Sequence, residues 1–343
     1  MKQHLNTLFV TTQGAYVAKE GQAVVVRVDG EARFRLPMHN LAGIMCFGQV
    51  SCSPWLMEAC AKNEITLSFV SESGRFLAAV HGFSPGNVLL RREQYRRADD
   101  MQASVGIARN VVAAKIANSR SVLLRGARDY KESPRRAELM AASARLAACV
   151  PQARAADSLD MLRGIEGESA ALYFGAFNGL LTAQQDAFAM THRTRRPPMD
   201  RINSLLSFLY AMLAHDARGA CESVGLDAAV GFLHRDRPGR PGLALDLMEE
   251  FRALLADRVA LNLVNRQQVK PDGFREGETG GIEMDDATRK TVIAAYQERK
   301  QKELIHPFLN ETVSAGLLVH LQARLLARHL RGDLDAYPAF IAK

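Results

Sequence analysis

The spacing of apolar residues changes near residue 85, and this change constrains the fold more than any other feature of the 343-residue chain. Before it, apolar residues form short blocks or alternate with polar ones, as in residues 23–28. Alternation separated by turn residues is typical of β-strands and hairpins. After a linker at 82–87, apolar residues recur every three or four positions, as in helices. We therefore predict an α+β fold, with a small β-sandwich-like N-terminal domain (1–85) and a larger all-α C-terminal domain (86–343).

Two segments depart from the pattern of their domain. Residues 53–61 interrupt the strands with a short helix, in which Ser53 is the expected cap and Pro54 the first helical residue. Residues 269–283 interrupt the helices and are rich in Gly, so we expect an exposed loop. The predicted helices of the second domain cover residues 88–118, 119–130, 135–148, 155–179, 202–219, 243–264, 285–302 and 313–330.

Composition favours a soluble, cytoplasmic protein. The hydrophobic fraction is 48%, the mean hydropathy is −0.11, and no apolar run reaches the roughly 20 residues that span a bilayer. The N-terminus lacks the pattern of a signal peptide. The five cysteines are scattered, odd in number and never spaced as Cys-x-x-Cys, so we expect free thiols and no zinc site.

Basic side chains are concentrated in the helical part of the chain. The net charge is +7, yet residues 1–85 are nearly neutral, whereas residues 91–154 carry 14 basic and 6 acidic side chains. Further short arginine runs occur at 193–201 and 235–240. The planar guanidinium group suits bidentate contact with phosphate, so the distribution favours nucleic-acid binding. A solvated helix face remains the alternative for any single run.

Two segments place carboxylates and one histidine in apolar helical sequence. Glu166 shares a helix side with Ala170 and Tyr173, whereas Glu168 falls about 200° round, toward solvent. His234 ends the apolar run 228–233. Taken alone, Glu166 could be a surface or capping carboxylate, and His234 could be a hydrogen-bonded structural residue.

The helix that follows His234 strengthens the case for a metal site. Asp246, Glu249 and Glu250 lie one turn apart and should occupy one edge of that helix, where like charges repel unless a cation lies between them. Oxygen ligands with one neutral imidazole suit Mg²⁺ or Mn²⁺ better than zinc. Such an ion on a basic protein indicates chemistry on a phosphodiester backbone.

The order of these motifs resembles a known family. The segments Gly164-Ile165-Glu166-Gly167, 195–210, Gly231-Phe232-Leu233-His234, Asp246-x-x-Glu249, and the late 306–308 and 322–324 all fit its pattern. The chain resembles the metal-dependent integrase of CRISPR adaptation, the larger of the two near-universal spacer-acquisition proteins. It is most similar to the form found in bacterial subtype I-C systems.

The resemblance implies a catalytic group in the second domain. Glu166, His234 and Glu249 would ligate one Mg²⁺ or Mn²⁺ ion, and Asp246 would be a catalytic acidic residue in or near the site. The family spacing excludes Glu250 as a ligand. Many relatives carry aspartate at the position of Glu249, so this chain offers the same chemistry with a longer reach.

The implied reaction is strand transfer on double-stranded DNA. The 3′-hydroxyl of a short prespacer attacks a phosphodiester at the edge of a CRISPR repeat, and no covalent protein nucleophile is needed, so we interpret Tyr173 as a packing residue. Asn203 matches a polar family position, with a helix cap as the alternative. The candidate DNA contacts are Arg92, Arg96, Lys115, Arg120, Arg125, Arg128, Arg195, Arg196 and Asn203.

The resemblance also implies partners. We expect a homodimer formed through the β domains, and two such dimers bridged by a dimer of the small partner protein of adaptation. Two other function classes remain open. One is a structure-selective metal nuclease acting on branched or single-stranded DNA, and the other is an inactive DNA-binding scaffold, which the presence of all three ligands disfavours.

Overall fold

The chain divides into two compact units, Met1–Asn87 and Val88–Lys343. The computed structural model describes residues 6–63, 65–72, 76–80, 87–129, 135–278 and 280–342. Most of the linker predicted at 82–87 lies outside these ranges. The first unit is rich in strands and the larger second unit is mostly helical, so the predicted α+β class is confirmed.

The first unit contains two four-stranded sheets. Its strands are β1 (Asn6–Val10), β2 (Tyr16–Glu20), β3 (Ala23–Val28), β4 (Glu31–Pro37), β5 (Leu41–Phe47), β6 (Ser51–Cys52), β7 (Thr66–Val70) and β8 (Phe76–Val80). One sheet has the order β1-β5-β7-β8 and the other β4-β3-β2-β6. Their buried faces supply a core that includes Val17, Val24, Ile44 and Leu67.

The hairpin pattern holds for only part of the first unit. β2, β3 and β4 are antiparallel neighbours, and Asp29 and Gly30 both have positive φ between β3 and β4, as a tight hairpin turn requires. In the other sheet β1, β5 and β7 pair in parallel. Parallel neighbours need long connections, which spacing within single strands does not indicate.

The short helix of the first unit forms as predicted. Helix α1 spans Pro54–Lys62, with Pro54 at its first position. The side chain of Ser53 accepts a hydrogen bond of 3.2 Å from the backbone N–H of Leu56, which satisfies one of the free donors at the helix start.

Helices α2 (Val88–Asp99) and α3 (Met101–Asp129) open the second unit. The break falls at Asp100 and not at the predicted position 118, because Asp100 Oδ1 accepts from the backbone N–H groups of Gln102 and Ala103 and so starts a new helix. Helix α3 is 29 residues long and packs against several of the helices that follow. The next helices along the chain are α4 (Arg136–Ala155), α5 (Leu159–Gly175), α6 (Gln185–Phe188) and α7 (Arg201–Ser223), and α3 packs mainly against α4 and α5 among them.

The predicted helix 243–264 is interrupted. Helix α8 (Gly242–Glu249) leads into a π-helical turn (Arg252–Asp257) and then into α9 (Arg258–Asn265). Within this turn the buried Asp257 accepts hydrogen bonds from the hydroxyl groups of Tyr173 and Tyr210, on α5 and α7. Turns of this kind are rare and often lie at functional sites.

The last part of the chain mixes strands with helices. The predicted loop 269–283 contains a short antiparallel pair, β9 (Phe274–Glu276) and β10 (Ile282–Met284). Helix α10 (Asp286–Gln301) is followed by the hairpin of β11 (Glu303–His306) and β12 (Glu311–Ser314), and then by α11 (Leu318–Leu330). The predicted start of the last helix at 313 is therefore wrong, because β12 occupies its first residues. In the described residues, no helix has the length and apolarity needed to cross a membrane.

Candidate metal centre

Asp246 organises the loop that carries His234. Its carboxylate, which is 1% exposed, accepts from the backbone N–H groups of Phe232 (2.6 Å), Leu233 (3.0 Å) and His234 (3.0 Å). The loop approaches so closely that a Cβ on Gly231 would lie 2.6 Å from the backbone of Gly242. Glycine at position 231 is therefore required by close packing.

The same carboxylate orients the imidazole of His234. His234 Nδ1 lies 2.7 Å from Asp246 Oδ1. Because a carboxylate only accepts hydrogen bonds, Nδ1 carries a proton, and in the neutral imidazole Nε2 then keeps its lone pair. Nε2 lies on the side of Glu249, 3.9 Å from its Oε1. Asp246 thus holds the imidazole of His234 from its Nδ1 side, and both carboxylate oxygens of Asp246 accept hydrogen bonds.

Glu249 is buried among cations. Its Oε1 lies 3.0 Å from Arg252 Nη2, and its Oε2 lies 2.8 Å from Lys115 Nζ. Burial raises the pKa of this carboxyl, but the charges of Arg252 and Lys115 outweigh that effect and hold the pKa at about 2. Glu249 is therefore ionised at any pH at which the protein would work.

Glu166 approaches the same place from α5. Its Oε1 forms an ion pair with Lys115 Nζ, so one ammonium group contacts both Glu166 and Glu249. Helix α5 starts at a Ser158 cap, and the hydroxyl of Ser169 donates to the backbone carbonyl of Glu166. Glu168 is exposed on the other side of this helix, as predicted.

The donor set fits a hard divalent cation. Glu166, Glu249 and the free Nε2 of His234 offer two carboxylates and one neutral imidazole. Glu249 Oε2 is buried and has no well-aligned hydrogen bond within the described part of the chain. Among the described residues, no three His, Cys, Asp or Glu side chains lie close enough together to bind a metal ion as they stand. Lys115 Nζ lies between the carboxylates of Glu166 and Glu249.

Glu250 points away from this centre. It accepts hydrogen bonds from the hydroxyl of Tyr337, the backbone N–H of Phe340 (2.6 Å) and the amide of Gln322 (2.9 Å). Burial raises its pKa to about 8, against hydrogen bonds that lower it. Asn118 completes the anchor by donating to the carbonyls of Glu250 and Phe340. Glu250 therefore does not share an edge with Asp246 and Glu249, which both lie beside His234, so the expectation of one edge for all three carboxylates is wrong for Glu250.

Asn203 is a structural residue in the fold, so its assignment as a DNA contact is wrong. It is fully buried, its amide donates to Asp200 and to the carbonyl of His192, and its carbonyl accepts from Arg193 and Thr194. The helix-cap alternative does not hold either, because Asp200 caps α7. Asn203 instead fixes the loop that precedes α7.

The other candidate DNA contacts differ in exposure. Arg120 is half-buried and its Nε has no partner among the described residues, while Lys115 belongs to the carboxylate centre. The rest are exposed, although Arg96 also pairs with Glu93 and Arg125 with Asp129. The exposed set comprises Arg92, Arg96, Arg125, Arg128, Arg195 and Arg196.

A cleft adjoins the centre, and two of its residues, Arg252 and Asp257, were not singled out by the sequence patterns. Its lining includes Lys115, Arg195, Tyr210, Arg252 and Asp257. Arg252 lies over the ring of Tyr210, with its guanidinium carbon 4.8 Å from the ring centroid. Burial raises the pKa of Asp257 to about 6. The sequence signal that could have identified Arg252 is its position three residues after Glu249, which puts the two side chains on the same side of a helix.

Tyr173 also lines this cleft. Its hydroxyl donates to Asp257 Oδ2 at 2.9 Å, and burial raises its pKa well above the ordinary value. A buried phenol with an engaged proton is a poor nucleophile, which agrees with its interpretation as a packing residue.

The chain has relatives of known family. The family model described as "CRISPR associated protein Cas1" matches residues 8–298. The CRISPR-associated endonuclease Cas1 1 of Chlorobaculum tepidum is 51% identical over 99% of both chains. The CRISPR-associated endonuclease Cas1 2 of Rhodospirillum rubrum is 49% identical over the full length of both.

Solved structures share the fold. A Cas1 protein from Thermotoga maritima matches with a TM-score of 0.81 at 23% identity, over 95% of this chain and 97% of that one. A casposase bound to integration product matches with a TM-score of 0.83 at 20% identity, over 97% and 93%. A Cas6-RT-Cas1–Cas2 complex matches with a TM-score of 0.82 at 24% identity, over 98% of this chain and 36% of that one.

Proposed function

Because the chain belongs to the family of CRISPR-associated Cas1 proteins, we propose that it is the divalent-metal-dependent DNA integrase of spacer acquisition, in its subtype I-C form. In the proposed reaction a prespacer 3′-hydroxyl attacks a phosphodiester at the edge of a CRISPR repeat. A new ester bond forms at phosphorus as the bond to the leaving 3′ oxygen breaks. The curated relatives are named endonucleases, and the casposase of similar fold is bound to an integration product.

The observation that supports the proposal is that one ammonium group, Lys115 Nζ, contacts both Glu166 and Glu249, while His234 Nε2 lies 3.9 Å from Glu249 Oε1. The two carboxylates and the imidazole would hold Mg²⁺ or Mn²⁺, which when bound supplies Lewis-acid stabilisation of charge on the phosphate. Asp246 fixes the imidazole in the tautomer that leaves Nε2 available. Arg252 keeps Glu249 ionised and reaches the adjoining cleft.

The surroundings of the centre suit a polyanionic substrate. Arg195 and Arg252 both line the cleft that adjoins the centre, and two arginines there favour an anionic substrate such as a phosphodiester. Exposed arginines on α2 and α3, such as Arg92 and Arg128, would hold the DNA backbone further out. Such contacts make binding dependent on salt concentration because each one releases counterions from DNA.

We assign double-stranded DNA, a second copy of the chain and the small adaptation protein as partners in the cytoplasm. A structural neighbour is described as a complex of Cas1 and Cas2. β4 is an edge strand of seven residues whose side chains are mostly exposed, Phe34 among them. An exposed edge with an apolar side chain favours pairing with another chain, which supports dimerisation through the first unit.

A strand-transfer assay tests the proposal. The purified protein and its small partner are mixed with a prespacer bearing free 3′-hydroxyls and a supercoiled plasmid carrying a CRISPR array. We expect joining with Mn²⁺ and none with EDTA. Glu166→Ala should abolish joining, and Glu168→Ala, a matched change on the exposed side of the same helix, should leave it intact.

Two results would change the assignment. Joining that survives Glu166→Ala would show that the centre lies elsewhere. Cleavage of branched or single-stranded DNA without joining would favour the alternative, a structure-selective metal nuclease that uses the same residues. That alternative is kept because the curated relatives are named endonucleases.

A further inference from the structure

Lys115 is a buried cation inside the proposed metal centre. It projects from the middle of α3, its side chain is 11% exposed, and its Nζ contacts both Glu166 Oε1 and Glu249 Oε2. A lysine that served only to grip DNA would keep its ammonium group in solvent. The position of Nζ between two carboxylates of a predicted ligand set therefore calls for another role.

The charges at the centre are balanced without a metal ion. Two carboxylates, Glu166 and Glu249, face two cations, Lys115 and Arg252. Asp246 is separately engaged by three backbone N–H groups and the imidazole of His234. Buried charges are tolerated when they are paired, so this arrangement is electrostatically complete.

We propose that Lys115 competes with the divalent ion for Glu166 and Glu249, and that DNA phosphate decides the competition. This inference rests on the proposed function. Both ligands must release Nζ before they can bind the ion, because one carboxylate oxygen on each side is engaged by it. The four side chains are neutral in sum, so a divalent ion bound among them leaves an excess of positive charge, and a phosphodiester in the adjoining cleft offsets part of it.

The position of Lys115 allows its ammonium group to reach a DNA phosphate in the adjoining cleft. Its side chain lines the cleft together with Ser119 on the next turn of α3 and the exposed Arg195. The four-carbon stem of lysine rotates easily, so the ammonium can turn from the carboxylates toward an anion in this cleft. The free energy of metal binding is then coupled to that of DNA binding, and the coupling is reciprocal.

The consequence is measurable without any reaction. In the absence of DNA, Lys115 should weaken binding of Mn²⁺, and DNA should strengthen it. Lys115→Met removes the charge and keeps the length of the side chain. It should bind Mn²⁺ roughly tenfold more tightly than the wild-type protein without DNA, and show a smaller effect of DNA, since couplings of this kind are typically 5- to 150-fold.

The experiment is a calorimetric titration of the full chain with Mn²⁺ alone, and again with a saturating duplex that has free 3′-hydroxyls but no CRISPR repeat. Lys115→Arg keeps the competing charge and should bind no more tightly than wild type. Lys290→Met is the matched control, because Lys290 is exposed on α10. Glu249→Gln removes a proposed ligand and should bind least.

The possible results distinguish failure of the proposed competition from failure of the proposed metal-dependent function. Equal or weaker binding of Mn²⁺ by Lys115→Met would overturn the competition and leave the proposed function standing. If wild type and Lys115→Met both bind no Mn²⁺, with or without DNA, the metal-dependent function itself fails and the inference with it. If Lys115→Met does not fold without metal, Lys115→Gln provides the same comparison, and its melting temperature should rise with Mn²⁺ more than that of wild type.

Discussion

Asp246 offers the sharpest single perturbation of the centre, because Asn and Ala at this position should damage different properties. The carboxylate accepts four hydrogen bonds, three from the backbone of residues 232–234 and one from His234 Nδ1. Asparagine keeps one acceptor oxygen and replaces the other with an NH₂ group. That group can pair with Nδ1 only if Nδ1 has no proton, which moves the proton to Nε2 and removes the proposed ligand lone pair.

The magnitudes follow from these bonds. In Asp246→Asn one backbone N–H loses its acceptor and the charged bond to Nδ1 is weakened, which should cost about 2–4 kcal/mol of unfolding free energy. In a unit of roughly 250 residues each kcal/mol lowers the melting temperature by about 2 °C, so a fall of about 4–8 °C is expected. Asp246→Ala orphans all four donors and should cost more. For Mn²⁺ affinity and strand transfer the order reverses, because Ala leaves the imidazole free to choose its tautomer.

We expect Asp246→Asn to lose about 100-fold in Mn²⁺ affinity, at the upper end of effects seen for groups that support a metal ligand. The measurements are thermal unfolding, Mn²⁺ titration in the presence of DNA, and ¹⁵N shifts of the His234 ring, assigned with His234→Gln. An Asn variant that binds Mn²⁺ within twofold of wild type would refute the reasoning. So would an Ala variant that is both more stable and weaker in metal binding than the Asn variant.

Three further outcomes are expected. Phe340→Ala should lower the unfolding free energy by about 3–5 kcal/mol in denaturant titrations, because the Phe340 ring is buried and packs against Phe251 and His306. A loss below about 1 kcal/mol would contradict this packing. The pKa of Asp257 is raised from 3.8 to about 6, so its contribution to stability is complete below pH 3.8 and is lost as the pH rises through 6. Relative to Asp257→Asn, wild type should lose up to roughly 3 kcal/mol of unfolding free energy across this window, and a difference independent of pH would contradict the shift. Arg92→Gln should reduce the slope of log affinity for duplex DNA against log salt concentration by about 0.9, whereas Arg33→Gln in the first unit should not; equal slopes for wild type and Arg92→Gln would exclude Arg92 as a phosphate contact.

The fold class was predictable because apolar spacing reports directly on strands and helices. What the spacing does not report is pairing over long distances. The parallel arrangement of β1, β5 and β7 depends on connections of tens of residues. The break at Asp100 depends on one local side-chain contact, which a run of helical spacing conceals. The π-helical turn that contains Asp257 is likewise invisible in a pattern that suits a regular helix.

The site was only partly predictable from the sequence. Motif order grouped Glu166, His234 and Glu249 on the basis of a resemblance. In the structure Lys115 contacts Glu166 and Glu249, and His234 Nε2 lies 3.9 Å from Glu249 Oε1. The position of Lys115 between two carboxylates could not be predicted, because a basic run carries no information on which side chain turns inward. Glu250 sits beside Glu249 in sequence, yet its partners lie some 70 to 90 residues further along the chain.

An anomalous difference map from crystals of the full chain grown with Mn²⁺ and a short duplex would locate the proposed metal ion. We expect one strong peak within ligand distance of Glu166, Glu249 and His234 Nε2, with the ammonium of Lys115 moved off both carboxylates. A peak at another place in the second unit, or Lys115 still paired with both carboxylates in crystals that contain bound Mn²⁺, would contradict this expectation.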